Sequence, residues 1–189
     1  MKVVILHGTM GSPEGNWFPW LAQQIRDAGV EVEVPKLPTP EGQSFESWRA
    51  ALKEQCGQLG FDTILVGHSL GATFALRLLE EFKDGQSIIG TFLVSTVAGA
   101  LGNEEYDKLN ASFVDEPFRW DLVKQMAGPV KVYQGGNDPY VPVNMGKEVA
   151  KNLGVKLDLI KDGGHLNSES GFDTFPQLWH DLKPLLTKS

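Results

Sequence analysis

A single cysteine in 189 residues, Cys56, leaves no pair for an intrachain disulfide and too few thiolates for a metal cluster. Set in "LKEQCGQLG" with nothing nearby to activate a thiol, it reads as a packing residue at the end of a surface helix. Positive charge is scarce as well. Lys and Arg total 17 against 24 Asp and Glu, the net charge is -7, and no dense basic run occurs. That balance argues against nucleic acid and against an anionic membrane as partners. No apolar run approaches the ~20 residues of a membrane span. Between Lys2 and His7 only "VVIL" is apolar, far short of the about 7–15 residues of a signal peptide's core. A soluble, cytoplasmic protein is therefore expected, with one domain over residues 1–189 and neither repeats nor linkers.

What is present is a rhythm. Apolar runs of strand length occur at 2–6, 30–34, 63–67, 90–95, 130–135 and 155–160. Helical patterns fill 17–29, 45–56, 71–82, 144–153 and 174–186. Alternation of this kind predicts an α/β fold of about six mostly parallel strands with helices on both faces. The stretch 99–128 is too long for one crossover helix and is expected to form a small cap-like insertion over the site. An ordinary crossover helix with a long entry loop is the alternative.

The third run leads into Gly67-His68-Ser69-Leu70-Gly71, with a helical pattern directly after it. This is the setting of a nucleophile elbow, in which a sharp strand-to-helix turn holds a serine oxygen out above a sheet. Loops at the carboxyl ends of later runs carry Asp138 in "GGNDPYVP" and His165 in "KDGGHLN". The chain order Ser, Asp, His is that of α/β-hydrolases. A serine hydroxyl needs a base to become a nucleophile at neutral pH. His165 is expected to be that base, and Asp138 to hold its tautomer and stabilise its cation. The oxyanion of a tetrahedral intermediate needs preorganised donors. The N–H of Leu70 is one, and the N–H of Thr9 or Met10, in the glycine-rich loop after the first run, is the other. Asp162 shares a short loop with His165 and is poorly placed to oppose it. His7 is read as support for the oxyanion loop, His68 as the variable position of the elbow, and His180 as a helix residue away from the chemistry. Trp17, Phe113, Phe118 and Trp120 are expected to line a short apolar acyl pocket, although aromatics at helical spacing also suit a core.

With these residues in hand, the chain resembles the small serine hydrolases of the retinoblastoma-binding protein 9 and YdeN-like family. The resemblance is carried by "LHGTMGSPEGNWFPWL", "DTILVGHSLGATFALR", "FLVS", "FVDEPFRWDLVK", "GGNDPYVP" and "DGGH". It implies a compact α/β-hydrolase without the first antiparallel strands of larger relatives, with Ser69, Asp138 and His165 at the triad positions. One departure stands out. A retinoblastoma-binding Leu-x-Cys-x-Glu motif would need Leu and Glu two residues either side of Cys56, where this chain has Glu54 and Gln58. Binding of that partner is not carried over. The expected activity is hydrolysis of a small-molecule ester, thioester or amide through an acyl-enzyme, with no metal and no organic cofactor. A catalytically idle binding protein on the same fold, and acyl transfer to another acceptor, are the rival readings.

Overall fold

The computed structural model describes residues 1–82 and 87–187. Its strands are β1 (Lys2–Leu6), β2 (Glu31–Glu33), β3 (Thr63–His68), β4 (Gly90–Val94), β5 (Val130–Gly135) and β6 (Leu157–Ile160). They form one sheet in the order β2-β1-β3-β4-β5-β6, and every pairing is parallel. Parallel strands buried on both faces need apolar side chains at every position, and β1 meets that demand from Val3 to Leu6. Val4 and Leu6 point into one core and Val3 and Ile5 into the other, as the two-residue period of a strand requires.

Helices α2 (Phe45–Cys56), α3 (Leu70–Leu79), α4 (Glu104–Val114), α5 (Trp120–Met126) and α6 (Val143–Leu153) contribute to the first core. Helices α1 (Phe18–Asp27) and α7 (Pro176–Leu182) contribute to the second. The start of α2 is fixed locally by a reciprocal cap: Ser44 Oγ accepts from Ser47 N–H, and Ser47 Oγ from Ser44 N–H, both at 3.1 Å. At its end Cys56 is buried, and burial pushes the thiol up to about 11. Helix α3 is buried on every side, sandwiched between the sheet and α4 and α5. It carries Arg77 into that interior. The guanidinium pairs with Glu80 at 3.0 Å, donates to the carbonyls of Phe113, Glu116 and Pro117, and lies 4.0 Å over the Phe118 ring. One cation on α3 therefore anchors the whole link between α4 and α5.

The edges of the sheet are shorter than their apolar runs. β2 pairs with β1 over three residues only, and its alternating glutamates suit an unpaired edge. β6 begins at Leu157 because Val155 is already used: its N–H turns back to the Ala150 carbonyl, 2.9 Å, closing the end of α6. Between β4 and β5 the expected insertion contains α4 and α5, both packed against α3. Among the described residues no helix is long and apolar enough to cross a membrane.

Candidate functional site

The strand order reverses at β1, which lies between β2 and β3. At such a switch point the loops leaving the carboxyl ends open a crevice. Here the loop after β1 and the turn after β3 touch: a Cβ placed on Gly8 would sit 2.8 Å from that of Ser69. The turn itself is strained. Ser69 has φ 55° and ψ -124°, a region a side chain occupies only when its surroundings enforce it. Its N–H donates to the Val94 carbonyl at 2.8 Å. The flanking glycines answer to sterics. A Cβ on Gly67 would lie 2.5 Å from the Ala72 nitrogen, and one on Gly71 would lie 2.5 Å from the His7 carbonyl oxygen. The strand, the helix and β1 converge too closely for any larger residue.

Asp138 and His165 arrive from the loops after β5 and β6. The His165 Nδ1 lies 3.0 and 2.9 Å from the two carboxylate oxygens. The Asp138 side chain is fully buried, and three more donors hold it. Oδ1 accepts from the N–H groups of Tyr140 and Val141, and Oδ2 from Gln134 Nε2 at 3.0 Å. Burial works against its charge, but the His165 bond and charge and the two backbone donors outweigh it and hold the carboxyl below its ordinary range. A carboxylate so fixed keeps Nδ1 protonated and leaves Nε2 of His165 as the acceptor.

Three residues given no catalytic role in the sequence analysis support this pair. His68 Nε2 donates to the His165 carbonyl at 2.9 Å, and Ser95 Oγ reaches the same oxygen at 3.3 Å. Burial, with the neighbouring His165 adding to it, pushes His68 down to about 3, so its ring stays neutral. Gln134 is the third, and its contact with Asp138 was invisible in the sequence because only the fold brings its amide round. His7 matches the supporting role expected of it. Its Nδ1 donates to the Gly8 carbonyl and its Nε2 accepts from Leu37 N–H, at 2.9 and 3.0 Å. Burial lowers its pKa, which suits that neutral tautomer.

Of the oxyanion candidates, the Leu70 N–H opens α3 directly behind Ser69. Met10 requires a correction: its N–H donates to Thr39 Oγ1 at 2.7 Å. Thr9 remains, its hydroxyl tied to Asn110 Oδ1 at 2.8 Å.

Ser69 and His165 share a cavity of about 680 Å³. None of the four aromatics expected in an acyl pocket lines it. Trp17 is wholly buried behind the loop that carries His165, its Nε1 donating to the Leu166 carbonyl at 2.9 Å. Phe113 is wholly buried against Trp48, Phe45 and Phe74. Phe118 lies beneath Arg77, and Trp120 packs on Phe118. These four rings went to the core and its margin, and the cavity wall fell to loops and to α4. From the 99–128 segment the wall takes Leu101, Asn103, Tyr106 and Asn110. The first half of the insertion thus reaches the cavity, while α5 packs as part of the crossover.

Comparison with known proteins agrees with this fold. Residues 3–184 match the family model described as serine hydrolase. The chain is 28% identical to YdeN of Bacillus subtilis (strain 168) over 187 residues, 99% of this chain and 97% of that one. It is 25% identical to the serine hydrolase RBBP9 of Rattus norvegicus over 191 residues, covering 98% and 96% of the two chains. The crystal structure of the ydeN gene product from B. subtilis matches with a TM-score of 0.89 over 99% of each chain. MGS-MChE2, an α/β hydrolase from the metagenome of Mar Chica lagoon sediments, shares the fold at 23% identity. Its TM-score is 0.70, over 97% of this chain and 91% of that one.

Proposed function

The chain belongs to the serine hydrolase family, and from that premise we propose that it cleaves a small-molecule ester by carboxylesterase-like chemistry, with thioesters and amides open to the same route. Ser69 is the nucleophile, His165 the base and Asp138 the orienting acid. Ser69 Oγ bonds to the substrate carbonyl carbon while His165 Nε2 takes its proton. The N–H groups of Leu70 and Thr9 hold the oxyanion. Collapse expels the alcohol, which leaves with the proton from His165, and water repeats the sequence on the acyl-enzyme.

The observation that carries this reading is a single juxtaposition. A serine held at φ 55° opens into the same cavity as a histidine whose Nδ1 is bonded to a fully buried carboxylate. Strain at a residue without a structural need for it is what a functional serine looks like. A fluorophosphonate probe should label Ser69, and Ser69→Ala should abolish both labelling and ester turnover while the protein stays folded. Labelling that persists in the variant would overturn the assignment, and a wild-type protein that takes no label would favour an idle binding protein.

A further inference from the structure

The cavity beside Ser69 is lined by apolar Met10, Val97, Leu101 and Val141 and by four asparagines, and the four are oriented the same way. Asn16, Asn103, Asn110 and Asn167 line it. In each, a protein donor already occupies the carboxamide oxygen. Asn16 Oδ1 accepts from Ser168 N–H, Asn103 Oδ1 from Glu105 and Tyr106 N–H, and Asn167 Oδ1 from the N–H and hydroxyl of Ser170. Backbone donors leave no doubt which end of those amides is oxygen. Asn110 is fixed by a longer chain. Gln43 Nε2 donates to the Leu109 carbonyl at 3.0 Å, which identifies it as nitrogen, and the same group donates to Asn110 Oδ1 at 3.1 Å. Thr9 Oγ1 donates to that oxygen too.

What such an amide has left to offer a ligand is its NH2. Asn110 is 2% exposed as a residue, and its Nδ2 is not among the buried side-chain atoms left without a partner, so what it exposes includes that NH2. Among the described residues no acceptor takes its Nδ2 within hydrogen-bond distance. Asn167 Nδ2 has only a long contact, 3.4 Å, to Glu169. Charge narrows the ligand further. Among the described residues lining the cavity there is neither Lys nor Arg, and Glu169 is the one formally charged side chain. Nothing there would offset a carboxylate or phosphate on the substrate.

We propose that the cavity selects neutral esters whose acyl part carries ether, hydroxyl or carbonyl oxygens, with Asn110 Nδ2 as the donor that reads them. The proposal rests on the hydrolase reading of Ser69 and replaces the apolar acyl pocket expected from the aromatics. Its physical basis is an asymmetry: an alkyl chain laid over that NH2 strips its water and leaves it unpartnered, whereas an oxygen at the same place satisfies it.

The test is a matched pair, p-nitrophenyl heptanoate and p-nitrophenyl methoxyethoxyacetate, which have equal chain length and differ by two ether oxygens. Each rate is divided by the ester's own rate with hydroxide. The wild-type protein should favour the ether by roughly tenfold in kcat/KM, the scale of one buried donor satisfied. Asn110→Asp keeps an acceptor for Thr9 and Gln43 but turns the donor into a second acceptor, so the preference should vanish or invert. Affinities of the two esters for Ser69→Ala, where no turnover intervenes, should rank as the wild-type rates do. Equal or tighter binding of heptanoate to Ser69→Ala, or an ether preference that survives Asn110→Asp, would overturn the proposal. Failure of the wild-type protein to hydrolyse either ester would sink the hydrolase reading alone, because the binding measurement decides selectivity without it.

Discussion

Asp138 and Asp162 differ by environment more than by distance along the chain. Asp138 is enclosed by four donors, His165 among them, whereas Asp162 is exposed. Asp138→Asn should lower kcat by on the order of 10³–10⁴, as in the trypsin example of the same substitution, because an amide favours the wrong imidazole tautomer. Asp162→Asn should leave kcat within about twofold on the same reasoning. Steady-state kinetics on one ester decides between them, and a reversed order would move the acid to the other loop. His68 supports a second expectation, in stability. Its folded pKa of about 3 lies below the ordinary 6.5, so between those values the unfolded chain binds the proton more readily. Stability is therefore full above pH 6.5 and lost as pH falls toward 3, with His7 acting in the same direction. For His68 alone the loss by pH 5 is about 2 kcal/mol. Thermal melting between pH 7 and pH 5 should show that slope, and His68→Gln should remove most of it. An unchanged slope would mean that His68 is not the group responsible.

Arg77 ties elements together, and its removal tests how. Arg77→Met would leave the Glu80 carboxylate buried without its cation, a situation that costs about 3–5 kcal/mol. Urea unfolding should show a loss of that size, and amide exchange should quicken over 116–119, where the guanidinium holds the backbone. A loss below about 1 kcal/mol would place Arg77 among ordinary surface ion pairs. At this scale the sequence was legible wherever a local device set a boundary. The Ser44–Ser47 cap made α2 begin where its pattern began, and the apolar run of β1 coincided with the strand. It failed where a distant partner decided. Val155 belongs to an apolar run but is spent on the end of α6, and "FRW" reads as a cap motif until Arg77, forty-one positions before Phe118, claims the ring. The four asparagines were missed for a related reason. In sequence Asn16, Asn103 and Asn167 are ordinary turn and cap residues, and only their gathering round one cavity gives them another meaning.

Across the whole molecule, protection should follow position in the sheet. β3 is buried throughout and paired on both sides, while β2 and β6 are edges with one partner each. Amides of β3 should therefore exchange most slowly and those of β2 and β6 well before global unfolding, because edge ladders open by local fluctuation. Native-state hydrogen exchange would show this, and equal protection across all six strands would contradict it. The same plan explains why Ser69, Asp138 and His165 could be singled out without a structure. Parallel strands deliver their loops to one end, so residues far apart in the chain gather there by topology. Which groups line the remaining space depends on loop paths that leave no periodic trace. The bond from His68 to the His165 carbonyl has a further consequence for motion. The elbow and the base loop are not two parts independently hung from the sheet; a displacement of one drags the other. Thermal jitter of the loops then becomes largely shared translation, and the gap between the Ser69 hydroxyl and the His165 imidazole varies less than either position does.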